Sequence, residues 1–501
     1  MEKPGFDTDA YLKVQTGEIL RRVGKFERLY LEFGGKLCYD MHAARVLPGY
    51  RQTAKIELLK KLGDIDLIYC ISAKDIAKGR VRRDFGLTYD NQTLKDIQDI
   101  RDFGLDVRAV VITRYSHQEP AQIFRKKLEN FGMRVYIHVE TPGYPNDMGK
   151  VLDGYERQPY VEGKEKLVIV TGVGGNSGKM AFCLSQIYHE RKRGDKTGFA
   201  KFETFPIWNL TLNHPINMAY EAATADLKDV NMVDKFHEDA YGVVAINYNR
   251  DMENFNILKN LMQGITNERD PFGYKSPTDM GVNMAKEGIV SDETCQEAAK
   301  QEIIRRYFRY LREKVDGIET QETLEQMERI MKKAGVRLED RKVVEPARKS
   351  ANEAEKCGKG YNSVFCGAAI ELKDGRIITG KNSSLLHAES AAILNSVKRL
   401  EGVSDNVDLI SNNVLKTITH MKKELLNKRT PSLNVEETLI ALAISSEMNP
   451  VAKTALTRLK ELKDCEMHIT HLPTAGDEAG LIRLSMNVTT DAKLSVLSQF
   501  Q

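Results

Sequence analysis

The sequence lacks most features that would declare a function at once. Its seven cysteines, at 38, 70, 183, 295, 357, 366 and 465, include no Cys-x-x-Cys pair. Their odd number and wide spacing argue against a disulfide framework and fit a reduced, cytoplasmic protein. No run of eighteen apolar residues offers a transmembrane helix. The opening Met1-Glu2-Lys3-Pro4-Gly5 has no apolar core of a signal peptide. Charge of one sign is also missing: 74 basic residues face 71 acidic ones, for a net charge of +3. That balance supplies no field for nucleic acid or an anionic membrane, and neither is an expected partner. No internal repeat or low-complexity tract is present. At 41 % apolar and 29 % charged, the composition is that of a globular protein. A chain of 501 residues exceeds one core and should form about two to four domains.

What is present centres on one stretch. The apolar run Leu167-Val168-Ile169-Val170-Thr171 reads as a buried strand. It feeds Gly172-Val173-Gly174-Gly175-Asn176-Ser177-Gly178-Lys179, after which a helical pattern opens. Glycines let backbone N–H groups converge on an anion, and the helix adds the positive end of its dipole. Two named motifs are approached and missed. A Walker A loop anchored on Gly178-Lys179 needs glycine where Val173 stands and a hydroxyl where Met180 stands. The dinucleotide fingerprint has Gly172 and Gly174, but Ser177 in third place. A phosphate site and a tight βα turn that needs glycine only for packing both fit the loop.

Short apolar runs alternate with helical patterns around it. Strands are expected at 66–72, 107–113, 134–139, 166–171, 201–208 and 240–248, and helices at 55–62, 93–103, 121–131, 178–193 and 216–227. Residues 28–40 read as a hairpin turning at Gly34-Gly35. This alternation predicts an α/β fold, a large doubly wound, mostly parallel sheet over 1–268 with a P-loop-like glycine turn. Residues 269–350 read as a helical region. Its Arg305, Arg306, Arg309 and Arg312 form either a solvated face or a grip for an acidic partner. Residues 351–501 read as a smaller α/β subdomain.

In a doubly wound sheet, ligands lie beyond the carboxyl ends of the strands. That rule gathers Lys179 and Arg250 as phosphate-binding charges and Asp251 and Glu140 as metal or base groups. Asn209, Asn213 and His214 join as candidate ligand contacts, although such residues also serve as caps and turn formers. Lys36 and Asp40, placed an even number apart on the hairpin, could act as acid/base or charge-clamp groups, or simply face solvent.

In the last part, a hairpin turning at Asp374-Gly375 and a helix headed by His387-Ala388-Glu389 resemble the first half of a cytidine-deaminase-like domain. In that family the histidine binds zinc and the glutamate shuttles protons. The required Pro-Cys-x-x-Cys is absent, and Cys465, His468 and His471 fall on a predicted strand whose positions three apart face opposite ways. A zinc deaminase is therefore not expected, and no metal ligand is assigned. His189-Glu190 and His237-Glu238 do not complete a zinc-protease motif, because Arg193 and Tyr241 hold the final position.

Several segments together resemble a bacterial family catalogued as domain of unknown function 1846. They are Glu32-Phe33-Gly34-Gly35-Lys36, Val46-Leu47-Pro48-Gly49, Ile71-Ser72-Ala73-Lys74-Asp75-Ile76, the 171–179 loop, Leu212-Asn213-His214-Pro215 and His387-Ala388-Glu389. The resemblance spans nearly the whole chain. It implies a bacterial cytoplasmic protein with a nucleotide-binding-like large domain, a helical part and a deaminase-like subdomain, and no particular reaction. The residues point to an enzyme that binds a nucleotide or phosphorylated metabolite at 172–179, with phosphoryl transfer as the leading chemistry. Magnesium would need a ligand other than Met180, and Asp251 is the candidate. The alternatives are a non-catalytic ligand sensor and a zinc-free hydrolase using His387 and Glu389. A homodimer is the commonest closed assembly for such a chain.

Overall fold

The computed structural model describes residues 4–82, 86–144, 147–269, 271–428 and 430–494. The first three residues of the N-terminal segment considered above lie outside this set. The chain divides into two compact units, Met1–Glu302 and Ile303–Gln501. The stretch 269–350 falls partly in each. All seven cysteines are free thiols. Among the described residues no helix is long and apolar enough to cross a membrane.

The first unit is built on seven strands: β1 (Arg28–Phe33), β2 (Asp66–Ser72), β3 (Ala109–Tyr115), β4 (Val135–Val139), β5 (Leu167–Gly172), β6 (Thr197–Phe202) and β7 (Gly281–Val282). Their order is β7-β6-β1-β5-β2-β3-β4, and each neighbouring pair is parallel. Residues 67–71 of β2 and 167–170 of β5 are continuous apolar runs buried on both sides, as a parallel sheet covered by helices requires. Connections from β1 to β2 and from β5 to β6 run in opposite directions along the sheet. Parallel crossovers are right-handed almost without exception, which sends these two to opposite faces. The carboxyl ends of adjacent β1 and β5 therefore flank a topological switch point.

Three local expectations are corrected. Residues 28–40 are not a hairpin: β1 has parallel neighbours on both edges, so no position is left for a returning antiparallel strand. The strand expected at 201–208 occupies Thr197–Phe202, ending before the cis Phe205–Pro206 bond. The run at 240–248 begins as the end of helix Lys235–Tyr241, and only Ile246–Tyr248 is a strand, paired antiparallel with Asn231–Val233 outside the large sheet.

The second unit carries a four-stranded mixed sheet: β8 (Gly367–Glu371), β9 (Ile377–Lys381), β10 (Glu466–Ile469) and β11 (Asn487–Thr490), in the order β9-β8-β10-β11. Only the β10–β11 pair is parallel. Much of the arginine-rich helical face is used inside this unit. Arg305 pairs with Glu466 at 2.6 Å, Arg309 with Glu313 at 2.8 Å and Arg312 with Glu478 at 2.9 Å. Arg341 is buried under the sheet, bonded to Glu466, to Thr489 and to the carbonyls of Met467 and Asn487.

Candidate functional site

The rim of the first unit starts where β5 ends. Gly172 is required by close approach: a Cβ there would lie 2.4 Å from the Cys70 carbonyl oxygen. Gly178 combines a φ of +81° with a virtual Cβ 2.7 Å from the Thr113 side chain. Thr113 Oγ1 donates to the Ser177 carbonyl at 2.7 Å and fixes the loop to the end of β3. Helix Lys179–Arg193 then begins with Gly178 as N-cap and no side-chain cap. Its first turn therefore lacks the side-chain cap that most helices carry. Lys179 folds back over the loop. Its Nζ is 3.4 Å from the Gly174 carbonyl and from Ser177 Oγ, and 3.9 Å from Glu32 Oε1.

Glu32 lies near the end of β1, and the β1–β6 register pairs it with Lys201. Lys201 Nζ is 2.7 Å from Asp251 Oδ2 and 2.9 Å from Glu203 Oε1, and also bonds Tyr248 Oη. Tyr248 Oη donates to Glu203 Oε1 at 3.0 Å. Burial works against the Lys201 ammonium, yet Asp251, Glu203 and Glu32 together hold its pKa above the usual lysine value. Burial and the Asp251 carboxylate push Glu203 up to about 7, against the pull of Lys201. Arg250 pairs with buried Asp229 at 2.9 Å and lies over the Tyr248 ring. Burial raises the Asp229 carboxyl above its ordinary range. In this cluster Glu32 Oε2 is buried without a hydrogen-bond partner.

The structure thus joins Lys179 to Glu32 and links Asp251 with Arg250 through Lys201 and Tyr248. Other candidates have different neighbours. Asp40 caps helix Met41–Val46 and pairs with buried Lys55 at 2.8 Å. Burial opposes its ionisation, but Lys55 draws its pKa down to about 2. Lys36 is half-buried in the loop after β1. His214 caps helix Pro215–Ala223, with Nε2 3.1 Å from Asp292. The Asn209 carbonyl accepts from Lys286 at 3.0 Å, and Asn213 is exposed. Glu140 pairs with Lys74 at 2.5 Å on the surface. Sequence reasoning missed Lys201 and Glu203. The signal was available: Lys201 is the one charged residue in Thr197-Gly198-Phe199-Ala200-Lys201-Phe202.

A second cluster lies in the second unit. His387 is the N-cap of helix Ala388–Glu401, which places Glu389 in the first turn with no exposed surface. Asp477 occupies the first turn of helix Ala475–Arg483, in a capping box with Thr474. The His387 Nδ1 to Asp477 Oδ2 distance is 2.8 Å. Thr474 Oγ1 donates to the same oxygen at 2.6 Å, and the Val435 amide donates to Oδ1 at 2.8 Å. His471, just beyond β10, brings Nε2 to 3.8 Å from Glu389 Oε1. Burial and the Asp477 carboxylate raise Glu389 well above the usual range. Burial opposes the Asp477 charge, but His387 and Thr474 hold its carboxyl below the ordinary value. Burial, with His387 nearby, lowers His471 to about 4. His468 does not join this group. It is buried on β10 with Nδ1 2.9 Å from Thr489. Asp477 and His471 were not paired with His387 from sequence, because each comes from an element some 80 to 90 residues away.

Fold and sites define an α/β protein whose parallel sheet gathers a charged rim and whose second unit holds a buried histidine–carboxylate cluster. The chain belongs to the family described as domain of unknown function DUF1846: its N-terminal model matches residues 4–335 and its C-terminal model residues 339–500. The chain is 47 % identical over 492 residues to a UPF0371 protein of Clostridium tetani (strain Massachusetts / E88), covering 98 % of this chain and 97 % of that relative. It is 48 % identical over 491 residues to a UPF0371 protein of Clostridium botulinum (strain ATCC 19397 / Type A), covering 97 % of each.

Proposed function

We propose that the protein is an enzyme that binds a nucleotide or another phosphorylated small molecule at the rim of the first unit. The observation that carries this reading is the uncapped N-terminus of helix Lys179–Arg193, set at the switch point with Lys179 folded over the glycine loop. In this reading the loop acts as a P-loop-like cradle, and Lys179 and Arg250 neutralise phosphate charge. Met180 supplies no hydroxyl to magnesium, so Asp251 or the unpartnered oxygen of Glu32 would hold the ion.

Catalysis is favoured over sensing by the group beside the cradle. Glu203, with a pKa near 7, contacts both Lys201 and Tyr248. A carboxyl poised near neutrality in a polar cluster suits general acid–base work. Phosphoryl transfer, with Glu203 receiving a proton from the attacking group, is the reaction class this arrangement supports best. The likeness of the second unit to a cytidine-deaminase-like domain rests on a hairpin followed by the His387-Ala388-Glu389 helix, and without the cysteine pair it supports a binding cluster rather than deamination.

The test is ligand-dependent thermal stabilisation. Nucleotides and phosphorylated metabolites are screened with and without magnesium on the wild type and on Lys179→Ala. A ligand at about a hundred times its dissociation constant adds roughly 2.7 kcal/mol, seen as a raised midpoint that Lys179→Ala lowers. If no phosphate compound stabilises the wild type, the loop is a structural turn and the reading fails.

A further inference from the structure

We infer that the second unit holds a divalent first-row transition-metal cation on His387, Glu389 and His471, with Asp477 orienting His387. The inference is independent of the phosphate reading, since it concerns other residues in another unit. One ligand atom from each of His387, Glu389 and Asp477 lies within 4.8 Å of the others. Donors bound at about 2.0–2.2 Å to one ion stand roughly 3 to 4 Å apart, so small side-chain rotations would close the shell.

Proximity alone would not carry the inference. The second observation is Glu389 itself. Its side chain has no exposed surface, no N–H or hydroxyl donor bonds either carboxylate oxygen, and its hydrogen-bonding neighbour is another acid, Asp477. A buried carboxylate with no donor is costly, and the cost is removed by a proton or a cation. His471 points the same way: its Nδ1 is also buried and unpartnered, while its Nε2 is 3.8 Å from Glu389. The surrounding bonds aim the remaining donors. The Thr474 hydroxyl and the Val435 amide fix Asp477, which takes the Nδ1 side of His387. That leaves His387 Nε2 for a metal, in the arrangement by which carboxylates orient metal-binding imidazoles.

The chemistry of the set selects the ion. Two imidazoles with a carboxylate suit zinc, iron or manganese, whereas calcium and magnesium favour all-oxygen shells. Cysteine is not needed for such a site.

Zinc is the probe. The full chain is stripped with a chelator and titrated with Zn²⁺ by calorimetry and equilibrium dialysis with elemental analysis. One equivalent per chain is expected, with proton release seen as a buffer-dependent heat. Glu389→Gln, which keeps the side-chain shape, and His471→Ala should each weaken binding by more than the roughly 10–100-fold that loss of an orienting partner costs. Asp477→Asn should fall within that range. Circular dichroism confirms that each variant is folded. Absence of stoichiometric binding by the wild type overturns the inference and leaves a proton shared between Glu389 and Asp477. Binding that Glu389→Gln and His471→Ala leave unchanged overturns it as well, by placing the ion elsewhere.

Discussion

At the rim of the first unit, Lys201 stands 2.9 Å from Glu203 and 2.7 Å from Asp251, and Arg250 stands 2.9 Å from Asp229. In the second unit, Glu389 and Asp477 lie among imidazoles, and among the described residues no lysine or arginine pairs with either. The two clusters solve the same problem, buried carboxylates, in different ways. The rim brings its own cations, so it is electrostatically close to complete before any ligand arrives. Its chemistry then comes from proton movement and from the free helix terminus. The second cluster has only imidazoles beside its acids and must hold protons or acquire a cation. The pair teaches that buried acids with cations attached can keep their charge without a ligand, whereas buried acids without them need a proton or an added cation.

The comparison breaks most sharply at Lys201. Lys201→Met retains the packing of the stem but leaves Glu203 and Asp251 together without their cation. Removing one partner from such a cluster costs about 3–5 kcal/mol. Trp208 is the only tryptophan in the chain and hydrogen-bonds the Asn283 carbonyl within the first unit. Its fluorescence therefore follows urea unfolding of this unit alone. A midpoint unchanged by Lys201→Met would show that the acids do not depend on the lysine.

The next effect is a pH dependence. Glu203 titrates near 4.5 when unfolded and near 7 in the folded chain. Between these values the folded state keeps a proton that the unfolded state has lost. Stability contributed by Glu203 is therefore present below pH 4.5 and declines as pH rises toward 7. The loss is on the order of 3 kcal/mol at about 1.4 kcal/mol per unit. Because other buried groups titrate too, the measurement is the wild type against Glu203→Gln, read at Trp208. The wild type should lose ground to the variant between pH 5 and 7 and run parallel to it above. Parallel profiles throughout would mean that Glu203 is an ordinary ionised carboxylate.

How far the sequence disclosed these sites depends on where their parts lie along the chain. The glycine loop was legible because strand, turn and helix start are contiguous, and β2 matched the expected 66–72. Residues 28–40 were misread because Gly34-Gly35 is locally a good hairpin turn, and nothing local reveals that β1 is central. Lys201 and Glu203 were hidden by a strand placed four residues late, which moved the expected strand end to Asn209. His387 and Glu389 stood out as a pair on one helix turn. Asp477 and His471 did not, since only the packing of helix Ala475–Arg483 and the end of β10 brings them near.

The smallest expected effect discriminates best between the two clusters. Glu389→Gln in metal-free protein replaces a buried carboxyl that has no bonded donor by an amide of the same shape. The amide N–H can donate to Asp477 as the protonated carboxyl does, so stability should shift by less than about 1 kcal/mol, in either direction. Hydrogen exchange of the β8 and β10 amides, which lie in this unit's core, provides the local readout. A saturating zinc concentration should slow that exchange in the wild type and leave Glu389→Gln unaltered, because an ion that binds only the folded state stabilises only the chain that can hold it. If Glu389→Gln instead destabilises metal-free protein by several kcal/mol, Glu389 is an integral partner of Asp477. The second cluster would then resemble the first, complete without a cation.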